Sequence, residues 1–279
     1  MINKLILLIP TYNFVEGVDK ILKKIYLERK LVFKTYIFDN STTSVIRNVY
    51  SKYKEKGLDI EYKYSPPRLS AQNNWSNLIR YVFESLKKTS NFSKFYFILL
   101  HQDDVPEDNF FFSKLHNCLQ KNHKQVISLN TIINDKSFFD NRLHTENYLR
   151  HFLYKYLPKY IFLRNYLGTI SSLVFKSTLF INRLPKFQNK LQWLIDVEFY
   201  NRYLFDKKIY FSNLSVKSLV NNNIFSLTSS LMDIRKLQMK EIDFLNEHHK
   251  KRYIILDFVF WYSIRTIQYL KYILLKKIW

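Results

Sequence analysis

Residues 95–104 read Phe-Tyr-Phe-Ile-Leu-Leu-His-Gln-Asp-Asp, an unbroken apolar run that ends in four polar side chains. A continuous apolar run of this length predicts a β-strand covered on both faces, as in a parallel sheet. The adjacent carboxylates of Asp103 and Asp104 repel each other, so a protein that keeps them at a strand end often holds a cation there. Mg²⁺ and Mn²⁺ prefer oxygen ligands, although Asp is also common in turns and helix caps. The pair alone leaves both interpretations open.

Strands and helices alternate on the N-terminal side of this run. Short apolar runs predict three further strands, at Lys4–Ile9, Lys34–Phe38 and Ile60–Tyr64. Helical spacing of apolar residues predicts helices at Val15–Leu27, Thr43–Lys56 and Gln72–Lys87. Such alternation indicates an α/β fold with a mostly parallel, Rossmann-like sheet that is flanked by helices. Because ligands bind at the carboxyl ends of the strands in such sheets, we expect Thr11, Asp39 and Asp103 to converge.

The C-terminal side of the run predicts one more strand and several helices. The strand is Gln125–Leu129, a polar loop follows at Asn134–Asn147, and Gly168 is isolated in the stretch Leu167–Phe175. The predicted helices are Leu191–Phe205, Leu231–His249 and the amphipathic Arg252–Trp279. We therefore expect one domain over residues 1–230 and a C-terminal helical region over residues 231–279, which would contact a membrane surface or another copy of the chain.

Composition excludes several classes of protein. The chain has 279 residues and only 3 glycines, and it contains neither of the Gly-rich phosphate-binding loops. The single Cys118 excludes an intramolecular disulfide, and the N-terminal apolar run lacks a cleavage site and predicts a buried strand rather than a signal peptide. The formal charge of +21 implies an anionic partner, such as nucleic acid, anionic lipid or a phosphorylated substrate.

The segment Ile254–Leu275 is long enough to span a membrane, but charged and polar residues interrupt it, including Arg265 near its middle. Its apolar residues instead form a broad helical stripe. Two interpretations stay open: the stripe packs on the core, or it lies on an anionic leaflet with Trp261 and Trp279 as anchors.

A second acidic residue, Asp196, lies in the sequence Trp-Leu-Ile-Asp-Val-Glu-Phe-Tyr-Asn-Arg at residues 193–202. A carboxylate that reached an acceptor hydroxyl would serve there as a general base. Asp196 would equally suit a helix N-cap. Glu198 and Arg202 are four residues apart on the predicted helix and are expected to pair.

Five pieces in this order resemble the inverting family-2 glycosyltransferases of the GT-A fold that are used in bacterial polysaccharide assembly. They are Ile9-Pro10-Thr11-Tyr12-Asn13, Phe38-Asp39-Asn40-Ser41-Thr42, Ser70-Ala-Gln-Asn-Asn74-Trp75, Leu100-His-Gln-Asp-Asp104, and Trp193-Leu-Ile-Asp196 followed by Arg202. The resemblance covers roughly residues 3 to 230.

The resemblance implies a single-displacement inversion that moves a sugar from a nucleotide-diphosphate sugar to a hydroxyl of a glycan or lipid-linked acceptor. Asp196 would be the general base, Asp103 would bind Mn²⁺ or Mg²⁺, and Asp39 would contact the base of the nucleotide. The residues implied in nucleotide-sugar binding are Pro10, Thr11, Tyr12, Asn13, Asp39, Asn74, Gln102, Asp103 and Gly168. The implied process is capsule or lipopolysaccharide synthesis by a cytoplasmic protein, either free or on the inner face of the membrane.

The chain departs from the family pattern at three places. His101 replaces the usual first acidic residue of the metal motif, and Ile195 replaces the usual Glu before the base. Where many relatives have a metal-binding His, this chain has Asn221, Asn222 and Asn223.

Three rival functions follow from the same residues. A nucleic-acid-binding protein fits the charge and the many aromatics, but its Lys and Arg are dispersed and no nucleic-acid motif is present, so no specific nucleic acid is expected. A nucleotidyltransferase would need a Gly-rich, basic N-terminal loop. A glycosyltransferase relative without activity would fit the three departures. The oligomeric state is left open.

Overall fold

The computed structural model describes residues 3–65, 69–133, 142–143, 167–204, 207–219 and 234–249. The chain divides into two compact units, Met1–Ile234 and Arg235–Trp279. Within the described ranges, no helix combines the length and the apolar character needed to cross a bilayer.

The first unit is an α/β sandwich. Its strands are β1 (Lys4–Thr11), β2 (Val32–Asp39), β3 (Ile60–Tyr64), β4 (Phe95–Leu99), β5 (Asp104–Pro106), β6 (Val126–Ile133), β7 (Arg142–Leu143), β8 (Leu173–Lys176) and β9 (Ile209–Ser218). Its helices are α1 (Val15–Leu27), α2 (Val45–Glu55), α3 (Ala71–Lys87), α4 (Phe111–Lys121) and α5 (Ile195–Tyr203). A further helix, α6 (Ile234–His249), begins at the last residue of this unit.

The nine strands form one sheet in the order β3-β2-β1-β4-β8-β6-β9-β5, with β7 paired to β6. Strands β3, β2, β1 and β4 are parallel, and β9 is parallel to β6. Strand β8 runs antiparallel between β4 and β6, and β5 runs antiparallel along β9. The sheet is thus mixed, and its first half confirms the prediction of parallel strands linked by helices.

The register of the parallel strands brings their polar ends together. Thr11 at the end of β1 pairs with Asp39 at the end of β2, and Leu8 pairs with Leu99 at the end of β4. The apolar faces of the helices cover the sheet: Val18, Ile21, Leu22 and Ile25 of α1 are all buried. Burying side chains of this size contributes about 1.5–3 kcal/mol each, which holds the helices and strand ends in position.

The sequence-based prediction missed several elements of the second half. Helix α4 and strand β9 were not predicted, and β6 continues four residues past the predicted end at Leu129. Strand β9 carries mixed polar and apolar residues and is only partly buried, so it lacks the continuous apolar run of β4. Of the predicted loop Asn134–Asn147, only the two residues of β7 are described, and the rest lies outside the described residues.

The helix that carries Asp196 is shorter than predicted. It begins at Ile195 rather than Leu191 and ends at Tyr203 rather than Phe205. Leu194 is its N-cap residue, so Asp196 lies inside the first turn and is not a cap. The predicted helix Leu231–His249 is confirmed as α6. The predicted C-terminal helix Arg252–Trp279 and residues 221–223 lie outside the described residues.

Candidate active site

The acidic turn (residues 101–104) links β4 to β5 at the carboxyl end of β4. It is closed by a hydrogen bond of 2.9 Å from the Asp104 N–H to the His101 carbonyl oxygen. The Asp103 carbonyl oxygen accepts from the Leu219 N–H at 2.6 Å, and Asp104 pairs with Ser218 of β9. The turn is therefore held from both sides by backbone contacts, which fixes the positions of its side chains.

Three side chains of this turn form a cluster suited to a cation. One ligand atom each of His101, Asp103 and Asp104 lies within 4.8 Å of the others. Burial lowers the pKa of His101 to about 3, so its imidazole is neutral at pH 7. Burial and the neighbouring charge of Asp103 raise the pKa of the Asp104 carboxyl. A divalent cation would compensate this accumulation of negative charge, and an imidazole with two carboxylates fits a metal such as Mn²⁺.

The turn also packs tightly against the start of α1. A Cβ atom on Gly17 would lie 1.8 Å from the Gln102 carbonyl oxygen, so only glycine fits there. The Gln102 side-chain oxygen accepts from the Thr11 hydroxyl at 2.9 Å and from the Tyr12 N–H. These contacts join the acidic turn to the end of β1.

The ends of β1 and β2 are tied together by side chains. Asn13 has a φ of 54°, and its N–H donates to the Ser41 hydroxyl at 2.8 Å. The Asn13 side-chain oxygen accepts from the Thr42 N–H at 3.0 Å. Asn13 thus connects the loop after β1 to the loop after β2, as expected if both contribute to one binding site.

Asp39 is fully buried, and both of its carboxylate oxygens are engaged. One accepts from the Ser41 N–H at 2.9 Å and the other from the Tyr62 hydroxyl at 2.6 Å. Asp39 therefore shapes the loop after β2, and its contact with a nucleotide base stays a prediction.

Asn74, near the start of α3, is also buried, and its Nδ2 lies 3.4 Å from the Phe38 carbonyl oxygen. Its Oδ1 has no hydrogen-bond partner among the residues that the structure describes. A buried acceptor left unpaired is costly, so this oxygen marks a place where a ligand donor would be stabilised.

The bridging segment (residues 168–172) connects the acidic turn to Asp196. The Thr169 hydroxyl lies 3.4 Å from Asp104 Oδ2, and the Ser171 hydroxyl accepts from the His101 N–H at 2.9 Å. At its centre the Ile170 N–H donates to Asp196 Oδ2 at 3.2 Å. One short segment thus contacts both acidic groups and sets the position of one relative to the other.

Gly168 opens this segment with a φ of 84°, a conformation that favours glycine. A Cβ atom there would lie 2.5 Å from Thr131 Oγ1. The Gly168 carbonyl oxygen accepts from the Tyr200 hydroxyl of α5 at 2.9 Å. Gly168 therefore lets the bridging segment pack closely between β6 and α5.

Asp196 has the properties of a proton acceptor. The residue as a whole is only partly exposed to solvent. Burial of its carboxyl group raises the pKa to about 7, although the hydrogen bond from the Ile170 N–H lowers it. A carboxyl group with a pKa near the operating pH is suited to general base catalysis. In the same first turn, Glu198 pairs with Arg202 of the last turn, as predicted.

The structure brings most of the predicted site residues to one edge of the sheet. Thr11, Tyr12 and Gln102 are in direct contact, and Pro10 lies within β1 opposite Phe38. Sequence reasoning considered Asp104 as half of the acidic pair and His101 as a departure from the metal motif, but it assigned a role to neither, and it did not include Gly17 or Ser171. The rarity of glycine in this chain was the one available signal for Gly17.

Residues 6–209 match the family described as glycosyl transferase family 2. The chain belongs to this family. The match includes the acidic turn, the bridging segment and Asp196, and it agrees with the GT-A resemblance of the five sequence pieces. No curated protein matches this family-2 chain.

Solved structures show the same GT-A fold. TarS of S. aureus, residues 1–349, is 13% identical with a TM-score of 0.56, and the match covers 77% of this chain and 60% of that one. The same TarS fragment in complex with UDP gives the same values. The mannosyltransferase PcManGT of Pyrobaculum calidifontis, in complex with GDP-Man and Mn²⁺, is 12% identical with a TM-score of 0.52. The match covers 79% of this chain and 58% of that one. This family-2 chain therefore spans about 60% of the length of these structures.

Proposed function

We propose that the chain transfers a sugar from a nucleotide-diphosphate sugar to a hydroxyl group of a glycan or lipid-linked acceptor, with inversion at the anomeric carbon. The observation that carries this proposal is the bridging segment, which contacts Asp104 through Thr169 and Asp196 through Ile170. One short segment of backbone thus contacts both the proposed cation site and Asp196, whose carboxyl has a raised pKa. This juxtaposition suits a transfer that uses a general base and a metal ion together.

The residues of the acidic turn would hold the metal, with Asp103 as a ligand. When bound, Mn²⁺ or Mg²⁺ would neutralise negative charge on the departing diphosphate. Asp196 would accept the proton of the acceptor hydroxyl, whose oxygen then attacks the anomeric carbon from the face opposite the leaving group. The Ile170 N–H would orient the Asp196 carboxylate during that transfer.

The nucleotide would bind over the ends of β1 and β2. Thr11, Tyr12 and Asn13 form the loop after β1, and Gln102 fixes its start. Asn74 offers a buried, unpaired oxygen among the described residues. The remaining residues proposed for this part of the site are Pro10, Asp39, Asp103 and Gly168.

The proposed setting is surface-polysaccharide synthesis, such as capsule or lipopolysaccharide assembly, at the inner face of the membrane. Residues 147–195 contain no Asp or Glu, which favours an anionic surface beside this part of the protein. Within it, the basic loop (residues 181–190) exposes Ile181 and Leu184 by 53% and 39%, together with exposed Arg183 and Lys186. Exposed aliphatic side chains among basic ones are suited to a lipid interface.

The basic loop is held firmly in this position. The Tyr203 hydroxyl donates to the Leu184 carbonyl oxygen at 3.2 Å, and the Arg202 guanidinium donates to the Lys186 carbonyl oxygen at 2.6 Å. Both residues lie at the end of α5, the helix whose first turn carries Asp196. A lipid surface contacting the loop would therefore lie close to the proposed base. We propose that residues 1–230 form the catalytic domain and that the C-terminal region, residues 231–279, contributes further membrane or subunit contacts.

A thermal-shift screen of UDP-, GDP-, CMP- and TDP-sugars, with and without Mn²⁺, tests the proposal on the wild type and on Asp103→Ala. A ligand at about 100 times its dissociation constant adds roughly 2.7 kcal/mol of stability. We expect one nucleotide class to stabilise the wild type only with Mn²⁺ and to leave the variant unchanged. Anomeric NMR of the product would then test inversion. Absence of any nucleotide effect would instead favour a relative without activity.

A further inference from the structure

His101 is held more rigidly than a surface histidine. Its ring stacks on Trp75, with ring centroids 4.2 Å apart and an interplanar angle of 28°. Trp75 is itself fixed by an edge contact with Phe187, at 5.1 Å. The His101 N–H donates to the Ser171 hydroxyl of the bridging segment. Both the backbone and the ring of His101 are therefore set in place before any ligand arrives.

The fixed ring directs a nitrogen at a carboxylate. His101 Nδ1 lies 3.8 Å from Asp104 Oδ2, which is too long for a hydrogen bond. The other ring nitrogen, Nε2, is buried and has no hydrogen-bond partner within the described part of the chain. A neutral imidazole has one lone pair and one N–H, and Nδ1, the nitrogen that faces Asp104, makes no hydrogen bond to it, so Nδ1 can present its lone pair to a cation near Asp104.

Asp103 and Asp104 supply oxygen atoms to the same point. Together with the imidazole nitrogen they lie within 4.8 Å of one another, close enough for one ion to contact all three. Carboxylate oxygens suit Mg²⁺ and Mn²⁺ alike, whereas imidazole nitrogen suits transition metals. The nitrogen atom therefore discriminates between ions that two carboxylates alone would accept almost equally.

We propose that His101 is a ligand of the divalent ion in this chain, and that its nitrogen makes the site select Mn²⁺ and later transition metals over Mg²⁺. The inference rests on the proposed function for the presence of an ion in the acidic turn. It goes further in assigning a third ligand of a different chemical type and an order of ion preference. Co²⁺ should bind more tightly than Mn²⁺ because affinity for nitrogen-containing sites rises along the first-row series.

Binding constants test the ion preference on the full chain. MnCl₂ is titrated in the presence of UDP with free Mn²⁺ followed by EPR, and MgCl₂ and CoCl₂ are measured by competition. We expect the wild type to bind Mn²⁺ at least tenfold more tightly than Mg²⁺ and His101→Asp to lose most of that ratio. His123→Asp is the matched control, because His123 is exposed and outside the acidic turn, and it should behave as the wild type.

Spectroscopy tests the ligand itself without a variant that has to fold. Electron spin-echo modulation of bound Mn²⁺ should show a directly coordinated nitrogen, and labelling the histidines with ¹⁵N should change that modulation. Wild-type protein that binds Mn²⁺ and UDP without a histidine signal would overturn the inference and leave the proposed function standing. Failure to bind Mn²⁺ at all with UDP present would overturn both.

Discussion

Asp196 shows how a single residue can be suited to chemistry at a cost to stability. Its carboxyl lies in the first turn of α5, where burial raises its pKa from 3.8 to about 7. The folded state therefore binds this proton more tightly than the unfolded state does. The free energy of unfolding therefore falls as the pH rises from about 4 to about 7, because the folded state gives up a proton that it binds more tightly than the unfolded state. Above this range the group causes no further change.

Replacing Asp196 by Asn removes the charge while keeping an oxygen that can accept from Ile170. We expect the ligand-free variant to melt at a higher temperature than the wild type at pH 8 and at nearly the same temperature at pH 4. Sugar transfer should fall by about 10²–10⁴-fold, the usual contribution of a general base. Melting curves across this pH range check the first point, and equal melting temperatures at pH 8 would contradict it.

Gly17 gives a second residue-scale prediction. In Gly17→Ala the new Cβ would meet the Gln102 carbonyl oxygen, so α1 or the acidic turn must shift. We expect a loss of roughly 1–3 kcal/mol and of Mn²⁺-dependent nucleotide binding. Gly57→Ala is the matched control, since Gly57 has a φ of 81° but nothing within 4 Å of the added atom. It should lose stability and retain binding. Intact Mn²⁺-dependent binding in Gly17→Ala would refute the proposed role of the contact.

At the scale of elements, the site depends on how α5 is attached to the bridging segment. The Tyr200 hydroxyl joins the helix to Gly168, and the Asp196 carboxylate joins it to Ile170. Two contacts one turn apart on α5 thus fix the helix against the segment that also contacts the acidic turn. A small movement of α5 would change the distance between the proposed base and the proposed metal.

Tyr200→Phe tests this attachment. The substitution leaves the buried Gly168 carbonyl oxygen without its donor, which costs roughly 1–3 kcal/mol. We expect a lower turnover rate with a smaller effect on the binding of UDP, because the Tyr200 hydroxyl contacts the bridging segment, whereas UDP is proposed to bind over the loops after β1 and β2. Tyr210→Phe, at a side chain that is 37% exposed, provides the comparison. If turnover per folded molecule in Tyr200→Phe equalled that of the wild type, α5 would not need this contact.

The sequence predicted elements best where one physical signal dominates. Strand β4 is a continuous buried apolar run and was identified to within one residue, whereas β9 alternates irregularly and was missed. Asp103 was identified because it follows a strong strand. His101 was noted only as a departure from the metal motif, and Gly168 was the one residue of the bridging segment in the predicted site. The connecting role of the segment was missed because it arises from contacts between residues some 70 positions apart, such as the His101 N–H and Ser171. Such contacts depend on β8 running antiparallel beside β4, which local patterns do not determine.

At the scale of the whole molecule, the uneven distribution of charge predicts how the protein is oriented. The chain has a net charge of +21, and residues 147–195, which include the basic loop, contain no acidic residue. This loop is fixed to α5 by Arg202 and Tyr203. A membrane that attracts the loop would thus present its lipid-linked molecules close to α5, the helix that carries Asp196.

Vesicle binding tests this orientation. We expect the chain to bind vesicles rich in phosphatidylglycerol and to bind phosphatidylcholine vesicles weakly. The double variant Ile181→Asp, Leu184→Asp should bind the anionic vesicles about tenfold less tightly. Leu27→Asp is the control, because Leu27 is 61% exposed at the end of α1, outside the basic loop. Equal binding by the double variant and the wild type would exclude the loop as the contact.

The stacking of Trp75 on His101 also gives the acidic turn an optical property. The Trp75 and His101 ring centroids are 4.2 Å apart, so a paramagnetic ion bound by His101 as proposed would lie within the range at which it quenches the indole emission. With Trp193, Trp261 and Trp279 changed to Phe, Trp75 would be the sole such fluorophore. Quenching of its fluorescence by Mn²⁺ or Co²⁺, with no quenching by Mg²⁺, would report the occupancy of the proposed metal site during turnover. If His101 binds the ion as proposed, Trp75 would act as a built-in fluorescent sensor of the metal.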